Sequence, residues 1–250
     1  MTRVSPAAVT TRSRARRFAR RLARGPVLRF LAPGWPDAGR RIVQTPALES
    51  LLTRATADGS PPAVALNAGV GEGLYTPLLR RFAREALLLE FDFAVPPKSV
   101  DRRVGRFSAS LTAIPLPCGS VDLVMCTEVL EHVEDDERAV GELRRVLAPG
   151  GALVLSVPTP PAVFDPAHVR EGYTRDQLAA LFEHHGLAIV DARYCMHSCF
   201  KTLLRYWQPG RVPLGAILAL AWMDRRLTPG APMDMVVLAR PHGPLARATS

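Results

Sequence analysis

The chain predicts an open α/β sheet wound with helices on both faces, and three observations carry that prediction. From Ala63 to Glu90 an apolar run breaks into three closely spaced glycines, resumes as a helical pattern, and ends in a second apolar run closed by a carboxylate. After Pro115 the cadence returns as SVDLVMC, a helical segment, a Pro-Gly-Gly turn and ALVLSV, and the alternation continues to about Arg193. Strands alternating with helices make parallel crossovers, which bury the sheet on both sides. The composition agrees, since 250 residues can bury a full core, and 48% hydrophobic against 22% charged content excludes wholesale disorder.

In chain order, residues 1–45 form a basic arm and residues 46–250 the folded domain. From about Thr45 a helix with Leu48, Leu51 and Leu52 precedes the turn Asp58-Gly-Ser-Pro-Pro62. Val64, Ala65 and Leu66 form a short buried strand. Gly69, Gly71 and Gly73 then allow the backbone to turn sharply and approach a ligand where a side chain would collide. Leu74 to Phe82 is a helix and Ala86 to Leu89 a second buried strand. Glu90, at its carboxyl end, sits where doubly wound folds place an acid against ribose hydroxyls, with Asp92 as a rival two residues on. Val121 to Cys126 is a strand, Asp135 to Leu147 a helix, and Ala152 to Val157 the next strand. An apolar excursion, residues 196–232, separates these elements from a final strand at Met235 to Arg240; its Tyr206 and Trp207 are candidates for the substrate pocket.

The charge is uneven. Through Arg41 there are eleven Arg, no Lys and Asp37 alone, a balance of +10; the whole chain carries +9, so the remainder carries −1. Residues 12–31 read as an amphipathic segment with Ala15, Phe18, Ala19 and Leu22 on one side. Arginines with Phe18, Leu22, Leu28, Phe30 and Leu31 suit peripheral contact with an anionic membrane, whereas a solvated extension is the simpler alternative. A near-neutral domain with sparse aromatic interleaving speaks against nucleic acid. With no secretory pattern, no apolar run of spanning length, and no disulfide framework among Cys118, Cys126, Cys195 and Cys199, a cytoplasmic setting is expected. Cys195-Met-His197-Ser-Cys199 has only three potential ligands at a spacing unlike usual zinc pairs.

Four ordered motifs are more specific: Asn67-Ala-Gly69-Val-Gly71-Glu-Gly73, Asp122-Leu-Val, Glu128-Val-Leu-Glu131-His132-Val and Leu147-Ala-Pro149-Gly150-Gly151. By these the chain resembles the class I S-adenosylmethionine-dependent methyltransferases, in particular the group that includes the ubiquinone-type O-methyltransferases, over about Pro62 to Val190. His168 to Val190 matches that family's next helix and strand. The resemblance implies a Rossmann-like, doubly wound seven-stranded sheet, mostly parallel with an antiparallel last strand, and a helical insertion or lid before it. It implies S-adenosylmethionine as cofactor and a small-molecule, lipid-linked or glycan acceptor, methylated at oxygen. The implied cofactor residues are Asn67, Ala68, Gly69, Gly71, Glu90, Ser110, Leu111, Thr127 and Glu128. Two positions depart from the family's pattern. Asn67 stands where an acid usually heads the glycine loop, and Ser110 where an acid often receives the adenine amino group. Alternatives are therefore a noncatalytic cofactor-binding or membrane-associated partner protein and, third, an RNA methyltransferase.

Oxygen acceptors often need a base. His132, after the strand Val121 to Cys126 at the sheet's carboxyl edge, is the first candidate and His168 the second. On a helical turn Glu128, Glu131 and His132, at i, i+3 and i+4, would present two carboxylates and an imidazole to one divalent ion. The expectation taken forward is nevertheless a site without metal, with the glutamates beside the cofactor or facing solvent.

Overall fold

The structure is a computed structural model that describes residues 36–57, 60–94, 103–161, 166–197, 214–228 and 230–242. Its elements are α1 (Pro36–Ala57), β1 (Val64–Ala68), α2 (Thr76–Phe82), β2 (Leu87–Asp92), β3 (Val104–Ser108), β4 (Val121–Thr127), a 3-10 turn (Leu130–His132), α3 (Asp136–Val146), β5 (Leu147–Pro158), α4 (Arg175–His184), β6 (Leu187–Cys195), α5 (Leu214–Leu227) and β7 (Asp234–Pro241). The sheet order is β3-β2-β1-β4-β5-β7-β6, and only β7 runs antiparallel to its neighbours. The order reverses between β1 and β4, and an open sheet of this kind forms its ligand crevice outside the strand carboxyl ends at that point.

Two apolar layers cover the sheet. On one face Ala139, Val140, Leu143 and Val146 of α3 and Leu178, Leu181 and Phe182 of α4 pack on Leu66, Val124 and Leu155. On the other, Val43, Leu48, Leu51 and Leu52 of α1 and Leu78 and Leu79 of α2 pack on Ala65, Met125 and Val154. Successive strand residues thus supply opposite cores, which is why these strands read as continuous apolar runs rather than alternating ones.

Three boundaries differ from the sequence reading. Helix α1 begins at Pro36, so it crosses the expected edge of the arm at residue 45 and runs through Pro46. Its inward stripe is Gln44, Leu48, Leu51, Leu52 and Ala55, spaced i, i+4, i+7, i+8 and i+11, and the buried Gln44 at its head is the polar member that apolar periodicity overlooks. Strand β3 went unassigned because no residue in it is fully buried. Strand β5 starts at Leu147, pairing it with Val121 across a register irregularity, so the Pro-Gly-Gly segment lies inside the strand. The expected arm through residue 35, and most of the excursion before β7 including Tyr206 and Trp207, lie outside the described residues. No helix among those described is long and apolar enough to cross a membrane.

Candidate functional site

At the crest of β1 the chain turns through Gly69, Gly71 and Gly73, all at positive φ (73°, 49° and 75°). The N–H groups of Gly69 and Val70 both donate to the carbonyl of Phe91, 2.9 Å each, and the Gly71 N–H donates to Asp92 Oδ2 at 2.7 Å. A Cβ on Gly69 would lie 2.2 Å from Cγ2 of Val129, so the loop passes too close to the segment after β4 for any side chain there. A Cβ on Gly71 meets nothing within 4 Å, since it would stand in open space. That space is a cleft of about 580 Å³, lined by Gly69 and Gly71, by Phe91, Asp92 and Phe93, by Ala109 to Thr112, and by Glu128, Val129 and His132 to Asp135. Ser110 and Leu111 fall in its wall as the sequence predicts, and Ser110 Oγ is occupied by Thr112.

Glu90 does not line this cleft. It is fully buried, accepts from Arg106 Nε at 2.6 Å and from the Thr76 hydroxyl, and sits in register with Asn67 on one side and Arg106 on the other. The last β1–β2 register pair is Ala68 with Phe91; Asp92 lies one residue past it, on the same side as Glu90 but clear of β1 and beside the glycine loop. The strand-end acid at the cleft is therefore Asp92. Asn67 lies 2% exposed with its amide 3.5 Å from Thr76 Oγ1, Ala68 is fully buried, and Thr127 is 8% exposed; none of the three lines the cleft. The row also accounts for Asn67: an acid there would put a second buried carboxylate beside Glu90, whose charge Arg106 already balances.

Across the cleft the chemistry is ionic. Glu128, at φ 55°, accepts from Arg40 at 2.7 Å, Gln44 at 2.9 Å and Ser156 at 2.7 Å. Gln44 also donates to Asp234, 2.8 Å away, and accepts from the Tyr75 hydroxyl. Burial, then the charge of Glu128, pushes Asp234 up to about 8, and the same two causes in the same order raise Tyr75. Burial opposes the charge on Arg40, but Glu128 and then Asp234 more than offset it and hold the guanidinium protonated. Arg40 and Gln44, which hold Glu128, are positions the sequence reading did not single out, because α1 lies more than 80 residues before the segment it contacts.

His132 lines the cleft, and His168 comes from the loop after β5 to meet it edge-on, ring centroids 4.6 Å apart. His132 Nδ1 lies 3.0 Å from the Ala167 carbonyl, which can only accept, so in the neutral ring Nδ1 carries the proton and Nε2 keeps its lone pair. The carboxylate of Glu131 is fully buried and neither oxygen has a hydrogen-bond partner among the described residues. Burial first, and Glu128 second, raise its pKa well above the usual carboxylate range. Ligand atoms of Glu131, His132 and His168 lie within 4.8 Å of one another, whereas Glu128 points to Arg40; the trio expected from the Glu-x-x-Glu-His spacing is thus corrected to one with His168 in place of Glu128. The reason is local: the segment is a three-residue 3-10 turn entered through a left-handed Glu128, not the α-helical turn that would align both glutamates. In the Cys195 to Cys199 segment, His197 is buried against Asp224, and Cys199 lies outside the described residues.

A family profile described as a methyltransferase domain matches residues 66–155. A probable S-adenosylmethionine-dependent methyltransferase of Mycolicibacterium smegmatis is 33% identical over 154 residues, covering 52% of this chain and 59% of that protein. A demethylmenaquinone methyltransferase of Thermus thermophilus is 37% identical over 105 residues, covering 38% and 48%. The chain thus spans roughly half to three-fifths of the length of these relatives. Among solved structures, an S-adenosylmethionine-dependent methyltransferase from Mesorhizobium loti superposes with a TM-score of 0.55 at 20% identity, covering 79% of this chain and 97% of that one, a likeness of fold. Its ordered motifs, its seven-stranded sheet and these matches support a class I S-adenosylmethionine-dependent methyltransferase domain, the family profile covering residues 66–155.

Proposed function

We propose that the chain transfers a methyl group from S-adenosylmethionine to the oxygen of a small-molecule, lipid-linked or glycan acceptor. The observation that carries this reading is the cleft in which the glycine loop, Asp92 and His132 meet at the sheet's carboxyl edge. The residues suit an adenosyl group. Gly71 leaves open the space a Cβ would fill, Asp92 retains Oδ1 for a ribose diol while Oδ2 holds the loop, and Leu111 with Phe93 offers apolar surface for adenine. When bound, the cofactor supplies a methyl group on a sulfonium, open to in-line displacement. The protein's share is then to align the two reactants and exclude water, for which Val129 and Val133 line the wall, and to accept the acceptor's proton at His132 Nε2. The relative named for demethylmenaquinone supports a small-molecule acceptor.

Calorimetric titration with S-adenosylhomocysteine, beside Gly71→Arg as a blocked control, is the test. Micromolar binding by wild type alone supports the reading, followed by transfer of labelled methyl to acceptor candidates. No binding by the folded wild type transfers support to a noncatalytic partner protein. A second reading, methyl transfer assisted by a divalent ion on Glu131, His132 and His168, is favoured by the buried carboxylate of Glu131, whose oxygens have no hydrogen-bond partner among the described residues. It requires metal binding to the purified chain that Glu131→Gln abolishes. The basic segment 12–31 is proposed as a peripheral contact with anionic membrane. Equal sedimentation with vesicles by the whole chain and by one lacking residues 1–35, a cut that leaves α1 intact, would sink that idea.

A further inference from the structure

We propose that Glu137, His184 and His185 form a binding site for a divalent transition ion of the zinc type, which joins the first turn of α3 to the end of α4. None of the three lines the cleft, so the site does not rest on the cofactor reading. The side chains come from two helices that cover the same face of the sheet. Glu137 is the second residue of α3, His184 closes α4, and His185 caps it. Their ligand atoms lie within 4.8 Å of one another. A single oxygen, Glu137 Oε2, stands 2.7 Å from His185 Nε2 and 3.4 Å from His184 Nδ1. The rings stack with centroids 5.0 Å apart and planes 16° from parallel, so one nitrogen of each reaches the same carboxylate.

The donor set selects the ion. Two imidazoles and a carboxylate suit zinc, copper or nickel, whereas magnesium and calcium favour oxygen ligands. A tetrahedral ion with bonds of about 2.1 Å keeps its ligand atoms about 3.4 Å apart. The contact of Glu137 with His184 already has that length, and the contact with His185 is a hydrogen bond that opens when the ion replaces the shared proton. The two nitrogens, at most 4.8 Å apart, close on the ion by rotation of His184, whose side chain is 72% exposed. The His185 side is prepared in advance. Gly141 lies one turn after Glu137 on α3, and a Cβ there would stand 3.3 Å from His185 Nδ1, so the missing side chain seats the ring against the helix. An exposed ion pair by itself stabilises little, and it requires neither this seat nor a second imidazole on the same oxygen. The fourth position of the ion faces a groove of about 620 Å³ that Glu137 and His184 border with Arg170, Tyr173 and Gln177, and is left to water. Because Glu137 lies 48 residues from His185 in sequence, the unfolded chain does not hold the three together, and the ion stabilises the fold by binding it selectively.

The test uses the whole chain without an affinity tag, freed of metal by a chelator and titrated with zinc chloride by calorimetry and by thermal melts. Wild type is compared with Glu137→Gln, His184→Ala and Glu131→Gln, the last to set aside an ion held at the cleft by Glu131, His132 and His168. One equivalent of zinc should remain in Glu131→Gln, and at free zinc about 100 times Kd it should raise the Tm by roughly 5–10 °C. Glu137→Gln and His184→Ala should each weaken that equivalent by more than the about 10- to 100-fold that changes outside the ligand shell bring. Without metal both variants should melt within about 2 °C of wild type, since the groups they alter are exposed. Magnesium should leave the Tm unchanged. Failure of wild type to bind zinc, or binding that survives both Glu137→Gln and His184→Ala, overturns the site. An equal shift with magnesium overturns it too, because the imidazoles would then play no part.

Discussion

The two walls of the cleft are built from different materials. On the β1–β2 wall the work is done by backbone: glycines at positive φ, N–H groups turned onto the Phe91 carbonyl, and a single strand-end acid holding the loop. On the opposite wall, after β4, it is done by a side chain: Glu128 lines the cleft and is held from behind by Arg40 and Gln44 of α1 and Ser156 of β5 in one hydrogen-bonded group. A backbone wall suits the adenosine that every cofactor of this class carries, since main-chain groups tolerate little variation. A side-chain wall can be retuned residue by residue, and here it is reached by a helix far away in sequence. The comparison also separates two acids on one strand: Glu90 belongs to the interior and Asp92 to the cleft.

The largest effect should come from breaking that separation at Glu90. Glu90→Ala leaves Arg106 beside an emptied site in the sheet, and loss of one partner from a buried ion pair costs about 3–5 kcal/mol. Urea unfolding should show that loss. The counterpart Asp92→Asn should do the reverse, weakening S-adenosylhomocysteine by about 10- to 100-fold through loss of a charged acceptor, with stability changed by less than about 1 kcal/mol. If Glu90→Ala abolished binding at full stability, or Asp92→Asn left affinity untouched, the assignment of the two acids would be reversed.

How much of this was legible depended on whether one strand or two decided the question. Three glycines in five residues between apolar runs mark the loop without help from elsewhere. His132 was placed at the carboxyl edge from its own strand, and adjacency of β4 and β5 brings His168, the second candidate, beside it. The choice between Glu90 and Asp92 was not legible, because a period of two puts both on the same side, and which one reaches the cleft depends on where β1 stops pairing with β2. Arg40 was hidden for another reason. In a segment with eleven arginines through residue 41 its charge looked like part of a solvated arm, and only the fold of α1 singles it out. Asn67 was read as a departure from the family's pattern, and its cause appears only in the row it shares with Glu90 and Arg106. Asn67→Asp sharpens the point. It should cost about 1–3 kcal/mol at pH 7 by adding a buried carboxylate beside Glu90, and recover as the pH is lowered and the new acid takes up a proton.

The remaining test lies behind Glu128, in the group that holds it, and is read as a pH dependence. Asp234 is 1% exposed, accepts from Gln44, and is pushed up to about 8 by burial and by the charge of Glu128. Its pKa in the unfolded chain is near the ordinary 3.8, so between these values the folded state holds a proton that the unfolded state has released. Stability from this group is therefore fully present below about pH 4 and is lost as the pH rises through about 8, the reverse of a salt-bridged aspartate. Asp234→Asn keeps an acceptor for Gln44 and removes the titration. Denaturation midpoints measured from pH 5 to 9 should fall less steeply for the variant than for wild type, with the two curves furthest apart at the alkaline end. Parallel curves would mean that Asp234 is ionised in the fold across this range. The charge of Arg40 would then be shared between two carboxylates, and the group behind Glu128 would be a balanced ionic lattice rather than one ion pair with a neutral neighbour.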